Sequence, residues 1–179
     1  MTLRDIIISA LAQLDRDCDA ASIAACRVRF TRFANDAQHQ LAEACALTRT
    51  DMLSASHGVA LLSSLPRECL KVVDVVQQEH SVPFRSGDAS NKILLPYSSP
   101  ALITYRYEPM PLERDNDVCE LEPYLGGLIV TYVVGRERLG GDVTTQSGGN
   151  IYLSMYESAK AKLRTHRGTQ DSYMIKNRF

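Results

Sequence analysis

Five cysteines, four histidines and 21 carboxylates are the side chains of this 179-residue chain that covalent or metal chemistry would draw on. A metal site needs several such ligands at close spacing, and a nucleophilic couple needs a thiol or hydroxyl beside a base. Cys18 and Cys26 stand eight apart, too far for a zinc knuckle, and no histidine lies near enough to complete a set. His39, His57, His80 and His166 are scattered through polar stretches in neither HExxH nor HxH spacing, so the ordinary reading of each is a solvated imidazole. No GxGxxG, GxxxxGK[ST] or GxSxG motif is present. Gly126-Gly127 falls inside a helical pattern, which points to tight helix packing rather than a phosphate cradle. Scattered thiols suit a reducing compartment and burial as small hydrophobes. The expectation is a protein that is not an enzyme, with no cofactor and no metal.

Charge location says more than charge total. Twenty basic and 21 acidic side chains leave a formal charge of −1, against the cationic excess of a dedicated nucleic-acid binder. Residues 108–123 hold six acidic side chains, Glu113, Asp115 and Asp117 among them, against Arg114 alone, a local balance of −5. Residues 151–179 hold six basic ones, including Lys160, Lys162 and Arg164, against Glu157 and Asp171, a balance of +4. Two solvated faces of opposite sign would look like this. So would a subunit whose acidic and basic surfaces meet those of its neighbours and so fix register.

The elements that must carry these residues read as α+β: a bundle of about four helices, a small antiparallel β-sheet between the second and third, and an extended C-terminal tail. Residues 1–168 read as one domain, with helices over 1–53, a β insertion over 60–107, an acidic loop over 108–121 and helices over 122–168; residues 169–179 form the tail. Thr2 with Asp5 three residues on is a capping-box start, followed by Leu3, Ile6, Ile7, Ala10 and Leu11 at helical spacing. Ile23, Cys26, Phe30, Phe33, Ala34, Ala37 and Leu41 mark the second helix, expected to end between Thr48 and Asp51. Val-rich Cys69 to Gln77, and the alternation of Ala101, Ile103, Tyr105 and Tyr107, predict strands. Pro123 opens a third helix ending before Gly140-Gly141; 142–149 reads as a polar connector and Asn150 as the cap of a fourth helix. The N-terminus lacks the pattern of a signal peptide, and no apolar run is long enough to span a membrane.

This order of elements, with the Leu-Pro step of Ser64-Leu65-Pro66-Arg67-Glu68-Cys69-Leu70-Lys71-Val72 leading into the sheet, resembles the head-to-tail connector, or portal adaptor, proteins of tailed bacteriophages. The stretch Leu125-Gly126-Gly127-Leu128-Ile129-Val130-Thr131-Tyr132-Val133-Val134 and that from Tyr152 to Leu163 are similar to the paired C-terminal helices of that family. The resemblance implies a structural virion protein in the neck, made in the host cytoplasm, with no membrane partner. Its members form a ring, commonly of twelve subunits, that docks on the portal protein, extends the DNA channel and provides the platform for tail or nozzle proteins. Packaged DNA passes such a ring without specific binding. Tyr173, Met174, Ile175 and Phe179 would then be portal-docking residues on a tail that orders on assembly. Glu113, Asp115, Asp117, Lys160, Lys162 and Arg164 would lie at subunit or tail interfaces.

Two other readings compete. Arg27, Arg29 and Arg32, interleaved with Phe30 and Phe33, are a pattern by which a small DNA-binding or regulatory protein holds nucleic acid. A hydrolase-like site assembled only by folding is the third.

Overall fold

The computed structural model describes residues 1–87, 91–141 and 143–168, with side chains in the last segment described from 146 to 163. It is an α+β protein that divides into two compact units: a helical one formed by 1–45 together with 109 onward, and a β unit, 46–108. The β unit therefore starts at 46 rather than at the expected 60.

In the helical unit, α1 (Leu3–Gln13) begins at the expected capping box. The Thr2 hydroxyl accepts from the Asp5 amide at 3.2 Å, while the Asp5 carboxylate accepts from the Thr2 amide at 2.9 Å. Leu3, Ile6, Ile7, Ala10 and Leu11 are all buried. Each such aliphatic side chain withdrawn from water contributes about 1.5–3 kcal/mol for the larger ones. The long α2 (Ala20–Cys45) starts where Asp19 accepts from the Ser22 amide at 2.8 Å. It ends earlier than expected because Ala46 takes a left-handed backbone, φ +48°, and the chain leaves as a strand. α3 (Gly126–Leu139) follows a single tight turn over Pro123–Leu125, in which Tyr124 is exposed.

α4 (Val143–Gly168) takes in most of the stretch expected to be a connector. Its glycines explain the difference. A Cβ on Gly149 would lie 3.0 Å from the Gly135 carbonyl and 3.1 Å from the Leu139 amide, and one on Gly135 would meet the Leu153 side chain at 2.9 Å. The α3–α4 seam thus lets two backbones approach closely, which offsets the helix-weakening cost of glycine. The α4 face turned inward includes Tyr152, Tyr156 and Lys160, while Ile151 and Met155 are exposed.

The β unit holds two antiparallel sheets in place of the single one expected. The first pairs β1 (Thr48–Leu53), β7 (Ala101–Tyr107), β3 (Cys69–Gln77) and β4 (His80–Ser81), in the order β1-β7-β3-β4. The second pairs β2 (Val59–Leu61), β6 (Lys92–Leu94) and β5 (Arg85–Ser86), in the order β2-β6-β5. β7 buries Ala101, Ile103 and Tyr105 and turns Leu102 and Arg106 outward, the period of two expected of it. Leu53, Ala60, Leu65, Val75, Ile93, Leu95, Ala101, Ile103 and Tyr105 form one contiguous core. The ingoing strand β1 and the outgoing β7 are partners, Thr48 opposite Arg106, and the Tyr107 amide donates to the Leu47 carbonyl at 3.3 Å. The unit is thus hung on adjacent strands, the usual geometry of a tolerated insertion.

Candidate functional site

The acidic segment after the β unit is an ordered strap fastened to α1 and α2. Asn35 grips Leu112 at both backbone groups: its Nδ2 donates to the carbonyl at 3.0 Å and its Oδ1 accepts from the amide at 2.8 Å. Gln38, buried among apolar neighbours, donates to the Met110 carbonyl at 2.8 Å. The Asp117 and Asp115 carbonyls accept from the Leu3 and Arg4 amides at 3.0 and 3.1 Å, satisfying the first donors of α1. Thr2 and Val118 form an antiparallel bridge, and the Cys119 amide donates to the Met1 carbonyl.

Its acidic side chains have different employments. Asp117 accepts from the amides of Glu113 and Arg114 at 2.8 and 2.7 Å, closing a turn, and those bonds hold its carboxyl below the usual range. Asp115 lies 2.8 Å from the Arg27 guanidinium. Glu113 is exposed, and its carbonyl accepts from Arg27 at 3.3 Å. Glu122, just before α3, is exposed as well. Of the three strap acids expected at an interface, two therefore also serve within the chain.

The basic side divides similarly. Lys160 is tucked in, donating to the Gln40 side-chain Oε1 at 2.9 Å and to Glu157 at 2.6 Å while lying over the Tyr156 ring. Lys162 is exposed. The Arg164 side chain and residues Tyr173, Met174, Ile175 and Phe179 lie outside the described residues.

A second basic surface went unread in the sequence. Arg16, Arg29, Arg136 and Arg138 line a cleft of about 600 Å³ together with Phe33 and Glu137. Glu137, its side chain 9% exposed, accepts through one oxygen from Arg16 at 2.8 Å and Arg29 at 3.1 Å. The bond to Glu137 raises the Arg16 pKa further above its ordinary value. Arg136 stands over Phe33 and Tyr132, 5.5 and 6.0 Å from the ring centroids. Arg138 stands over Tyr152 at 5.1 Å and donates to the Gln13 carbonyl at 3.4 Å. The Arg-Glu-Arg run at 136–138 was the available signal, but its partners Arg16 and Arg29 are more than 100 residues away in sequence.

The Arg27–Phe33 segment is largely committed to the fold. Phe30 is fully buried, Arg27 reaches the strap and Arg29 reaches Glu137. Among the described residues no three His, Cys, Asp or Glu side chains are grouped to hold a metal ion, and no helix is long and apolar enough to cross a membrane. Cys26, Cys45 and Cys119 are buried, Cys69 is half-buried and Cys18 exposed. Burial pushes the Cys119 and Cys69 thiols up, away from nucleophilic thiolate.

What these features define is an α+β protein whose helical body carries an inserted β unit, an acidic strap and an arginine-lined cleft. No protein-family model matches the chain, and a search of curated proteins finds no match either.

Proposed function

We propose that this is a structural subunit of a tailed-bacteriophage neck, an adaptor that joins its own copies in a ring on the portal and offers its far side to tail or nozzle proteins. The observation that supports this reading most is the discontinuous helical unit. Two N-terminal and two C-terminal helices form one compact unit, the β unit is inserted in the chain between them and begins and ends on paired strands, and an acidic strap is bound into the helical body. That is the order of elements the resemblance leads one to look for. Small contacts repeated around a ring add up by multivalency, so each can be weak alone. A wall past which DNA moves gains from avoiding strong net positive charge, and the total of −1 is compatible with that.

The test is mass measurement by light scattering, with and without purified portal protein. The expected result is a monomer or weak oligomer alone and a closed ring on the portal. Removing residues 169–179 is expected to abolish docking and leave the fold and melting temperature nearly unchanged; normal docking by the truncated chain would overturn the tail's role. The competing nucleic-acid reading predicts sub-micromolar DNA affinity that falls steeply with salt. Arg27 and Arg29 already engaged, and Phe30 in the core, weigh against that reading.

A further inference from the structure

We infer that the arginine cleft receives the acidic strap of a neighbouring copy, so that subunits join head to tail; this rests on the ring reading above and assigns its contact. Four arginines and one carboxylate, Glu137, line the cleft, and only Arg16 and Arg29 of the four are bonded to that carboxylate in the contacts described. Each guanidinium carries five N–H donors in a rigid fork that matches a carboxylate, and Glu137 cannot saturate four of them. All four are also held in place beforehand. Arg16 and Arg29 are fixed by Glu137, Arg136 by the rings of Phe33 and Tyr132, and Arg138 by Tyr152 and the Gln13 carbonyl. The Nε of Arg138 is buried without an acceptor. Side chains already ordered lose little entropy on binding, so the cleft is prepared for an oxyanion.

The strap supplies groups of the right chemistry, and its place says which copy it can reach. It is fastened to the N-terminal end of α1, at the Leu3 and Arg4 amides, whereas Leu14, Arg16 and the Gln13 carbonyl put the cleft at the C-terminal end. Ten residues of helix separate them by about 15 Å. On α2, Arg27 reaches the strap and Arg29 the cleft. Two residues along a helix are about 200° around it. The two surfaces therefore face apart and cannot meet within one chain. Complementary patches at opposite faces make a heterologous contact, which closes into a ring when the rotation allows. Exposed Glu113 and Glu122, with half-exposed Asp115 beside them, are the carboxylates presented.

A charge exchange tests this on the full chain with purified portal. One variant carries Arg29→Glu and Arg136→Glu, and the other carries Glu113→Arg and Glu122→Arg. Each alone sets like charge against like and is expected to lower ring formation roughly tenfold or more. Mixed in equal amounts, each strap meets a cleft of opposite sign, and rings are expected to return, which also shows that both variants fold. Ring formation by either variant alone at the wild-type level overturns the contact while leaving the connector reading intact, as does a mixture that stays apart although both variants melt like the wild type. A wild-type chain that forms no ring on the portal overturns both. Arg136→Gln, at an exposed position, guards against disturbance of the Glu137 site: several-fold weaker assembly is expected, and unchanged assembly counts against the contact. A short DNA duplex is the control ligand; binding that only the arginine variant loses, with its assembly unchanged, would give the cleft to phosphate and overturn the proposal.

Discussion

Gln38 in the helical unit and Gln77 in the β unit are both buried, and the two work at different ranges. Gln38 in the helical unit reaches 72 residues along the chain to the Met110 carbonyl, while Gln77 in the β unit donates to the Tyr97 and Ser99 carbonyls, at 3.0 and 2.9 Å, about 20 residues on. The same contrast runs through the other polar fastenings. Asn35 with Leu112, Arg29 with Glu137 and Tyr156 with Ala37 all join segments on either side of the insertion. In the β unit, Arg49 binds Asp51 and Ser81 binds Asp74 close by in the chain, while Tyr105 with Asp51 and Thr50 with Thr104 span the two ends of the unit. The helical unit has to bring two remote pieces of chain together, so its stability resides in long-range contacts. The β unit is one continuous segment, closed on itself by pairing its first strand with its last.

The largest expected effect comes from deleting a core ring. Tyr156 is fully buried, packed on Tyr132 with ring centroids 4.8 Å apart, and burial pushes its hydroxyl pKa up. Tyr156→Ala is expected to cost about 3–5 kcal/mol, as large aromatic truncations do. Ile103→Ala, in the β core, is expected to cost about 2–5 kcal/mol. Denaturant titration gives the magnitudes, and hydrogen exchange gives the location. Tyr156→Ala should loosen amides in 1–45 and 109–168, and Ile103→Ala those in 46–108. Protection lost equally across the whole chain in both variants would break the distinction between the units.

Next is the strap. Asn35→Ala removes a donor and an acceptor at once and strands the Leu112 amide, beside a leucine that is 2% exposed. A buried polar group left without a partner costs about 1–3 kcal/mol. Early hydrogen exchange and proteolysis between 109 and 122 are expected to rise with little change in 46–108. If the strap stays protected, its hold comes from the α1 amides instead.

How much of this was legible follows from which interactions are local. The capping box, the two apolar stripes of α1 and α2, and the strands 69–77 and 101–107 were all readable, because each is a pattern within ten or so residues. Strand β1 was missed because Ala-rich α2 flows into Thr48 without proline or glycine; only the left-handed turn at Ala46 stops it. The first two turns of α4 were missed because Gly148 and Gly149 speak against a helix until Gly135 on α3 faces them. The acidic segment was seen as charge, but its role as a fastened strap depends on Asn35 and Gln38 far upstream. The cleft was invisible for the same reason, since nothing near 136–138 announces Arg16 or Arg29.

A smaller effect is expected at Glu137, the carboxylate shared by two remote arginines. Both guanidiniums are about half exposed, which limits what each pair contributes, so Glu137→Gln should cost about 1 kcal/mol. The loss should shrink as salt is raised. A loss unaffected by salt would mean that Glu137 acts through packing rather than charge.

The smallest effects separate the units by pH. Asp117 in the strap is held low by the Arg114 and Glu113 amides, and Asp51 in the β unit by its bond to Arg49 and then by Tyr105. A carboxyl whose folded pKa is depressed adds stability that is fully present above its unfolded value, about 3.9, and lost as pH falls through the folded one. Asp117→Asn and Asp51→Asn should therefore each differ from the wild type at pH 7, and the difference should fade below about pH 4. The β unit also has an alkaline counterpart in Tyr105. Burial and the bond to Asp51 push the Tyr105 pKa up to about 12, so the hydroxyl's contribution is intact below about pH 10 and declines above it. Tyr105→Phe should accordingly differ from the wild type at neutral pH and converge with it above pH 10, with hydrogen exchange placing the change in 46–108. Convergence in the helical unit as well would mean that the two units share one unfolding transition.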